Sequence, residues 1–177
     1  MTDSRPYDEP NPYGGSKPYA YDPLTEPEYF HGVLFRRFIA FLIDALIICA
    51  PIGFAAVLIF VFGFLTFGLG WFLFSLLGPA FVIWALVYSG LTLGGPRSAT
   101  LGMRAMGIEM RLWYGAPMYP LLAVVSVVLF WVAASVLTPL VAIVGLFNSR
   151  RRLLHDLIIG TVVTNNEERA ASLRRYR

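Results

Sequence analysis

Two stretches without a single charged side chain dominate this sequence. No Asp, Glu, Lys or Arg occurs from Ala45 through Pro96, and none from Leu112 through Ser149. A small soluble domain keeps a large polar surface and cannot hide runs of that length. A bilayer can, because each spanning helix needs about 20 apolar residues. The whole chain follows suit, with 57% hydrophobic and 14% charged residues, where a soluble domain carries about 25% charged. The first run starts late, behind a polar segment that reaches residue 31, and is too long for a cleaved leader, so it reads as a retained helix.

The apolar regions divide into helices. The first runs from about Leu34 to Leu65, with Arg36 and Arg37 at its start, where they can snorkel to headgroups. Pro51 and Gly53 inside it predict a kink. An uncharged link, Thr66 to Gly70, leads to a second helix from Leu69 to about Leu93. Gly90 and Gly94 form a small-xxx-small pair that can seat a neighbouring helix, although such pairs are common by chance in apolar segments. A third apolar region, Tyr119 to Phe147, is interrupted by Thr138-Pro139. Before it lies a basic loop, residues 94–118, holding Arg97, Arg104 and Arg111. Part of that loop alternates residue types like a strand and ends in the turn signal Tyr114-Gly115-Ala116-Pro117. Gly107 to Leu112 is expected to pair with Gly160 to Thr164, since two lone strands satisfy their backbone groups best on each other.

The arginines pose a topology problem. Arg36 and Arg37 place the start of the first helix in the cytosol, and the basic 94–118 loop returns there. One further plain crossing would put Arg150, Arg151 and Arg152 outside, against the positive-inside rule. Residues 119–147 are too few for two full crossings. The resolution expected here is a broken hairpin, with a helix from Tyr119 to about Leu137, a turn at Thr138-Pro139 and a shorter returning arm. The alternative is three crossings with an outside tail. The fold class is therefore an all-α membrane protein of three to four transmembrane helices, with a small two-stranded pairing on the cytosolic face. Residues 1–31 read as a Pro/Tyr-rich tail without a core, with Pro-Tyr pairs at Tyr7, Tyr13 and Tyr19. Residues 32–164 are the transmembrane domain and 165–177 an Arg-rich polar tail.

Three short pieces resemble the RDD family of bacterial membrane proteins. They are Arg37-x-x-Ala40-x-x-x-Asp44, then Thr100-Leu101-Gly102-Met103-Arg104-x-Met106-Gly107-Ile108, then Arg152-Leu153-Leu154-His155-Asp156-x-x-x-Gly160-Thr161-Val162-Val163. They occur in the family's order across roughly residues 33–164. The family takes its name from one arginine and two aspartates. The resemblance implies a multi-pass protein of the bacterial cytoplasmic membrane and leaves its biochemical role open, with ligand transport suggested.

Asp44 is the most telling single residue. It lies two helical turns after Arg37, on the same face and about 10 Å deeper. A carboxylate inside hydrocarbon costs about 2.5–3.5 kcal/mol, so it pairs, faces water or takes a proton. Side chains on a helix lean toward its N-terminus, so Arg37 leans away from Asp44. A second arginine, from the loop or from Arg150 to Arg152, is the expected partner. Asp156 completes the expected intramembrane charge or ion site with Arg37 and Asp44. Arg104, Arg152 and His155 are its supporting residues, with lipid headgroups the plainer role for the arginines. No metal centre is expected, because His155-Asp156 alone falls short of the three or four ligands zinc requires. No cofactor is expected either, and no nucleophile–base set or phosphate loop marks an enzyme.

Two functions from different classes remain. One is transport of a proton, sodium ion or small solute through Asp44. The other is a non-transporting scaffold or accessory subunit that holds protein partners. The expected partners are anionic lipid headgroups and either further copies of the chain or another membrane protein. Nucleic acid is not expected, because the arginines flank apolar runs instead of striping a polar domain.

Overall fold

The computed structural model describes residues 23, 26–112, 114–147 and 154–175. Helix α1 runs without interruption over Val33–Leu65, with Pro51 inside it. At 1.5 Å per residue it is about 50 Å long, well beyond a hydrocarbon core of about 30 Å. A tight turn follows, with Phe67 and Gly68 in the left-handed region. The chain then folds back as a 3-10 helix, Leu69–Leu76, before the α-helix α2, Leu77–Leu93. The sequence suggested one continuous α-helix here. The 3-10 geometry coincides with close packing on α1. The Trp71 ring fills the space beside Gly63, where a Cβ would lie only 1.8 Å from it, and Trp71 Nε1 donates to the Phe60 carbonyl at 3.3 Å.

The connection after α2 holds the short helix α3, Leu101–Ala105, and strand β1, Ile108–Leu112. The Tyr114–Pro117 turn forms as expected. Gly115 adopts φ 93°, its N–H donates to the Leu112 carbonyl, and the Leu112 N–H donates to the Ala116 carbonyl. Helix α4, Pro120–Phe147, comes next, followed by α5, Leu154–Ile159, strand β2, Thr161–Asn165, and helix α6, Glu167–Arg175.

The strand pair is antiparallel, with Met110 opposite Val163 and Leu112 opposite Thr161. It matches the expected pairing to within one residue at either end. The loop after α2 and the segment after α4 therefore meet at one end of the molecule. The break at Thr138-Pro139 is corrected, because α4 continues helically through both residues. A proline leaves one carbonyl of the preceding turn without its hydrogen bond, and neighbouring groups can make up that loss. The Gly90/Gly94 pair does seat a helix. A Cβ on Gly94 would sit 2.4 Å from Pro120, and one on Gly90 would meet Val124 at 3.1 Å.

Burial is concentrated at one end. The main core joins Val33, Ala40, Met103, Ile108, Met110 and Val163, at the start of α1 and around the strands. Along most of α1 the apolar side chains face outward, with Leu46, Phe54 and Val57 at 70%, 67% and 60% exposure. In water such a surface would associate or precipitate. Two helical segments, Pro27–Leu65 and Leu69–Leu93, are long and apolar enough to cross a membrane.

Two segments expected as tails are partly folded. Pro27–Tyr29 forms a 3-10 turn and Tyr29 is fully buried, with its hydroxyl donating to Glu167 at 2.7 Å. Asn165 Nδ2 ties the same turn to β2 by donating to the carbonyls of Glu28 at 2.7 Å and His31 at 3.0 Å. In α6, Asn166 Oδ1 accepts from the Arg169 N–H at 3.0 Å, as a helix cap. Its acids stand in the first turn and Arg174 and Arg175 in the last, which complements the helix dipole.

Candidate functional site: two aspartates at one end of the helices

Asp44 lies on α1, part-buried, facing α2 and α3. Tyr88 on α2 donates its hydroxyl to Oδ1 at 2.6 Å. Thr100 donates its hydroxyl to Oδ2 at 2.6 Å, and the Gly102 N–H reaches Oδ1 at 2.8 Å. The donors are themselves held. The Leu101 N–H donates to the Tyr88 oxygen at 3.2 Å, and the Met103 N–H donates to the Thr100 oxygen at 3.1 Å. Thr100 is thus both the N-cap of α3 and a ligand of the carboxylate. Gly102 is required for this approach, because a Cβ there would lie 2.2 Å from the Ala40 carbonyl oxygen and 2.9 Å from the Asp44 carboxyl group.

Among the described residues no arginine pairs with Asp44, and Arg150 to Arg152, the other expected partners, lie outside them. The hydrogen bonds of Asp44 come from two hydroxyls and one backbone amide, and no ion pair joins it among the described residues. Neutral donors can satisfy the lone pairs of a carboxylate that has no cation beside it. Arg104 belongs to neither aspartate, and its Nε donates to the Ala99 carbonyl at 2.9 Å.

Arg37 pairs instead with Asp156. Its guanidinium donates to Oδ2 at 2.6 Å, the arginine being 13% exposed and the aspartate 0%. Thr161 donates its hydroxyl to Asp156 Oδ1 at 3.2 Å. The pair clamps α5 and the start of β2 to the beginning of α1. Arg37, Asp44 and Asp156 therefore form two separate knots instead of one charge site. Arg152 lies outside the described residues, as does the side chain of His155.

Tyr88 and Thr100 were missed by the sequence reading. Tyr88 opens the one polar stretch of a mostly apolar helix, with Ser89 and Thr92, and that cluster of hydroxyls is a signal that was available. Thr100 precedes a short helix, as capping residues do.

The fold and these two knots account for all three family motifs. The first carries Arg37 and Asp44, the second builds the α3 turn that closes on Asp44, and the third brings Asp156 to Arg37. No curated protein and no solved structure matches the chain. A family model described as the RDD family matches residues 32–160. With its apolar helices, that match points to a membrane protein, and the chain belongs to the RDD family.

Proposed function

We propose that this chain is a non-transporting membrane scaffold whose helices anchor a small folded platform at the cytosolic surface of the bacterial membrane. One observation carries the reading. Both family aspartates are engaged by internal bonds that tie elements together, Asp44 by three donors and Asp156 by Arg37 and Thr161. A site that loads and releases an ion would need those carboxylate oxygens.

Dimensions support the same reading. From Ala45 to Leu65, α1 is free of charge and about 31 Å long, the thickness of the hydrocarbon. From Leu69 to Val87 the returning segment, part 3-10 and part α, also covers about 32 Å. Both lengths stop at the Asp44–Tyr88 hydrogen bond, which then marks the membrane boundary. Asp44 belongs at the interface on this reading, where a carboxylate costs less than in mid-hydrocarbon. The buried core, β1, β2 and α6 stand on the cytosolic side of that boundary, in keeping with the arginine distribution.

Chain reach limits α4. A straight α4 is about 42 Å long. Asp156 follows its last residue, Phe147, by nine positions and is bound to Arg37. Nine residues extend at most about 32 Å. A straight transverse α4 would leave Phe147 on the far face, too distant for the chain to return. Two full crossings and an α4 that bends or tilts within the bilayer satisfy both constraints. The exposed apolar faces of the helices then meet lipid, further copies of the chain or a membrane partner.

The transport reading keeps one supporting observation, the absence of a cationic partner for Asp44 among the described residues. Liposomes containing the purified protein and a pH-sensitive dye decide between the two. Under imposed proton or sodium gradients the scaffold gives no flux above that of empty liposomes. Gradient-driven flux that disappears in Asp44→Asn, in a protein that remains folded, would establish transport instead.

A further inference from the structure

The platform carries a cavity that neither knot uses. It is a shallow depression of about 330 Å3, widely open to solvent, between the start of α1, the end of α3 and the face of α6. Three arginines line it, Arg36 from α1, Arg104 from α3 and Arg169 from α6, with Asn166, Glu168 and Ser172 completing the polar wall. The three come from segments far apart in sequence, and the fold alone gathers them.

Like charges repel, and Arg36 feels the positive charge of Arg169. Ion pairs neutralise arginines elsewhere in the protein, with Asp156 on Arg37, Glu109 on Arg111 and Glu28 on Arg174. None of the three cavity arginines has such a bond among the described residues. Arg36 donates to the Met106 carbonyl at 2.7 Å and Arg104 to the Ala99 carbonyl at 2.9 Å. Both acceptors are neutral and engage one N–H of the five that each guanidinium offers. Arg169 is more telling, because its Nε is buried and has no hydrogen-bond partner among the described residues. A buried donor left unsatisfied costs about 1–3 kcal/mol, more when charged. Glu168 is the one acid in the wall and stands exposed at it.

We propose that this cavity binds a phosphate group, clamped between Arg36, Arg104 and Arg169. Guanidinium forks match the geometry of phosphate oxygens and give paired, charge-assisted hydrogen bonds. An incoming phosphate supplies charged acceptors to the guanidinium N–H groups these arginines leave unengaged and relieves the repulsion between Arg36 and Arg169. Asn166 and Ser172 add neutral polar groups for the rest of the molecule, and the exposed Glu168 carboxylate weakens anion binding without preventing it. Arg36 lies eight residues before Asp44, about 12 Å along the helix. Headgroups extend about 5–8 Å beyond the hydrocarbon. With the boundary at Asp44 and α1 normal to the membrane, the start of the cavity stands about 4–7 Å beyond the headgroup layer, open to a soluble phosphate compound and, where α1 tilts, to a lipid phosphate. Only this choice of source rests on the scaffold reading, because binding measured in detergent needs neither a membrane boundary nor a gradient.

The full chain is purified in dodecyl maltoside, which contains no phosphate, and titrated with radiolabelled pyrophosphate by equilibrium dialysis at about 0.15 M sodium chloride, where exposed charges are screened. Saturable binding at one site per chain is expected. Arg169→Gln and Arg36→Gln should each weaken it tenfold or more, and Glu168→Gln should strengthen it about threefold. The last variant protects the test if either arginine variant fails to fold. A parallel arm repeats the titration in nanodiscs of phosphatidylcholine with and without phosphatidylglycerol. Loss of pyrophosphate binding when phosphatidylglycerol is present assigns the cavity to a lipid phosphate, and undiminished binding assigns it to a soluble one. Absence of saturable binding in detergent, or binding that none of the three substitutions changes, overturns the proposal.

Discussion

Asp44 and Asp156 are both family aspartates, yet their surroundings treat them differently. Asp156 is fully buried and faces the Arg37 guanidinium at 2.6 Å. Asp44 is only part-buried and, among the described residues, is met by three neutral donors and no arginine. The difference follows from what each must hold. Asp156 sits on a six-residue helix, too short to be stable by itself, and a charge pair fixes it to α1. Asp44 gathers α1, α2 and α3, and one carboxylate with several lone pairs can accept from both neighbouring elements at once. A guanidinium would occupy the space that lets the α3 turn approach at Gly102.

The largest effect expected from this contrast is at the charge pair. Arg37→Leu removes one partner of a buried ion pair and should destabilise the protein by about 3–5 kcal/mol. The double variant Arg37→Leu/Asp156→Leu should recover part of that loss, because two apolar groups of similar size leave no charge to solvate. Thermal unfolding in detergent measures both. A single-variant loss below about 1 kcal/mol would rank the pair with surface bridges and dissolve the contrast with Asp44.

A smaller effect is expected at the glycine that allows the neutral arrangement. In Gly102→Ala the new methyl would meet the Ala40 carbonyl oxygen at 2.2 Å, so α3 must move away from α1. Overpacking of this kind typically costs about 1–3 kcal/mol. The Gly102 N–H bond to Asp44 should lengthen or break with the shift. Full stability in Gly102→Ala, read by the same unfolding assay, would mean that α3 can retreat without loss and that its bonds to Asp44 contribute little.

Much of this organisation was legible in the sequence. Charge-free runs delimit α1 and the returning segment, alternation with a turn signal marks β1, and the two glycines on α2 mark the seat of α4. Even the lean of helical side chains, which turns Arg37 away from Asp44, was a sound reason to look elsewhere for the partner of each. The partner of Asp44 was not legible, because the expected cost of a buried carboxylate points to a cation while hydroxyls and amides meet the same need. Tyr88 and Thr100 lie 44 and 56 positions away, and nothing local connects them to Asp44. Helix α6 and the Tyr29 turn were hidden for a different reason. Both have the composition of a solvated tail, and their order comes from each other, through the Tyr29 hydroxyl on Glu167 and Arg174 stacked 5.2 Å above the Tyr29 ring.

The smallest expected effect is also the sharpest test of the neutral-donor arrangement. Tyr88→Phe keeps the ring and removes one oxygen. Asp44 then loses one of its three donors, and the Leu101 N–H loses its acceptor. The net cost of such a bond is about 1 kcal/mol, since water at the interface can replace part of it. Unfolding alone would not distinguish this from a general loosening of α2, so the informative measurement is local. Hydrogen exchange at the amides of Leu101 and Gly102 should accelerate in Tyr88→Phe, while exchange in β1 and β2 stays as in the parent, because those strands are held by the Arg37–Asp156 side of the molecule. Acceleration in both regions would show that the two knots act as one unit. Unchanged exchange at Leu101 and Gly102 would mean that Thr100 and the backbone suffice, and that the hydroxyl of Tyr88 serves some purpose other than holding α3 to Asp44.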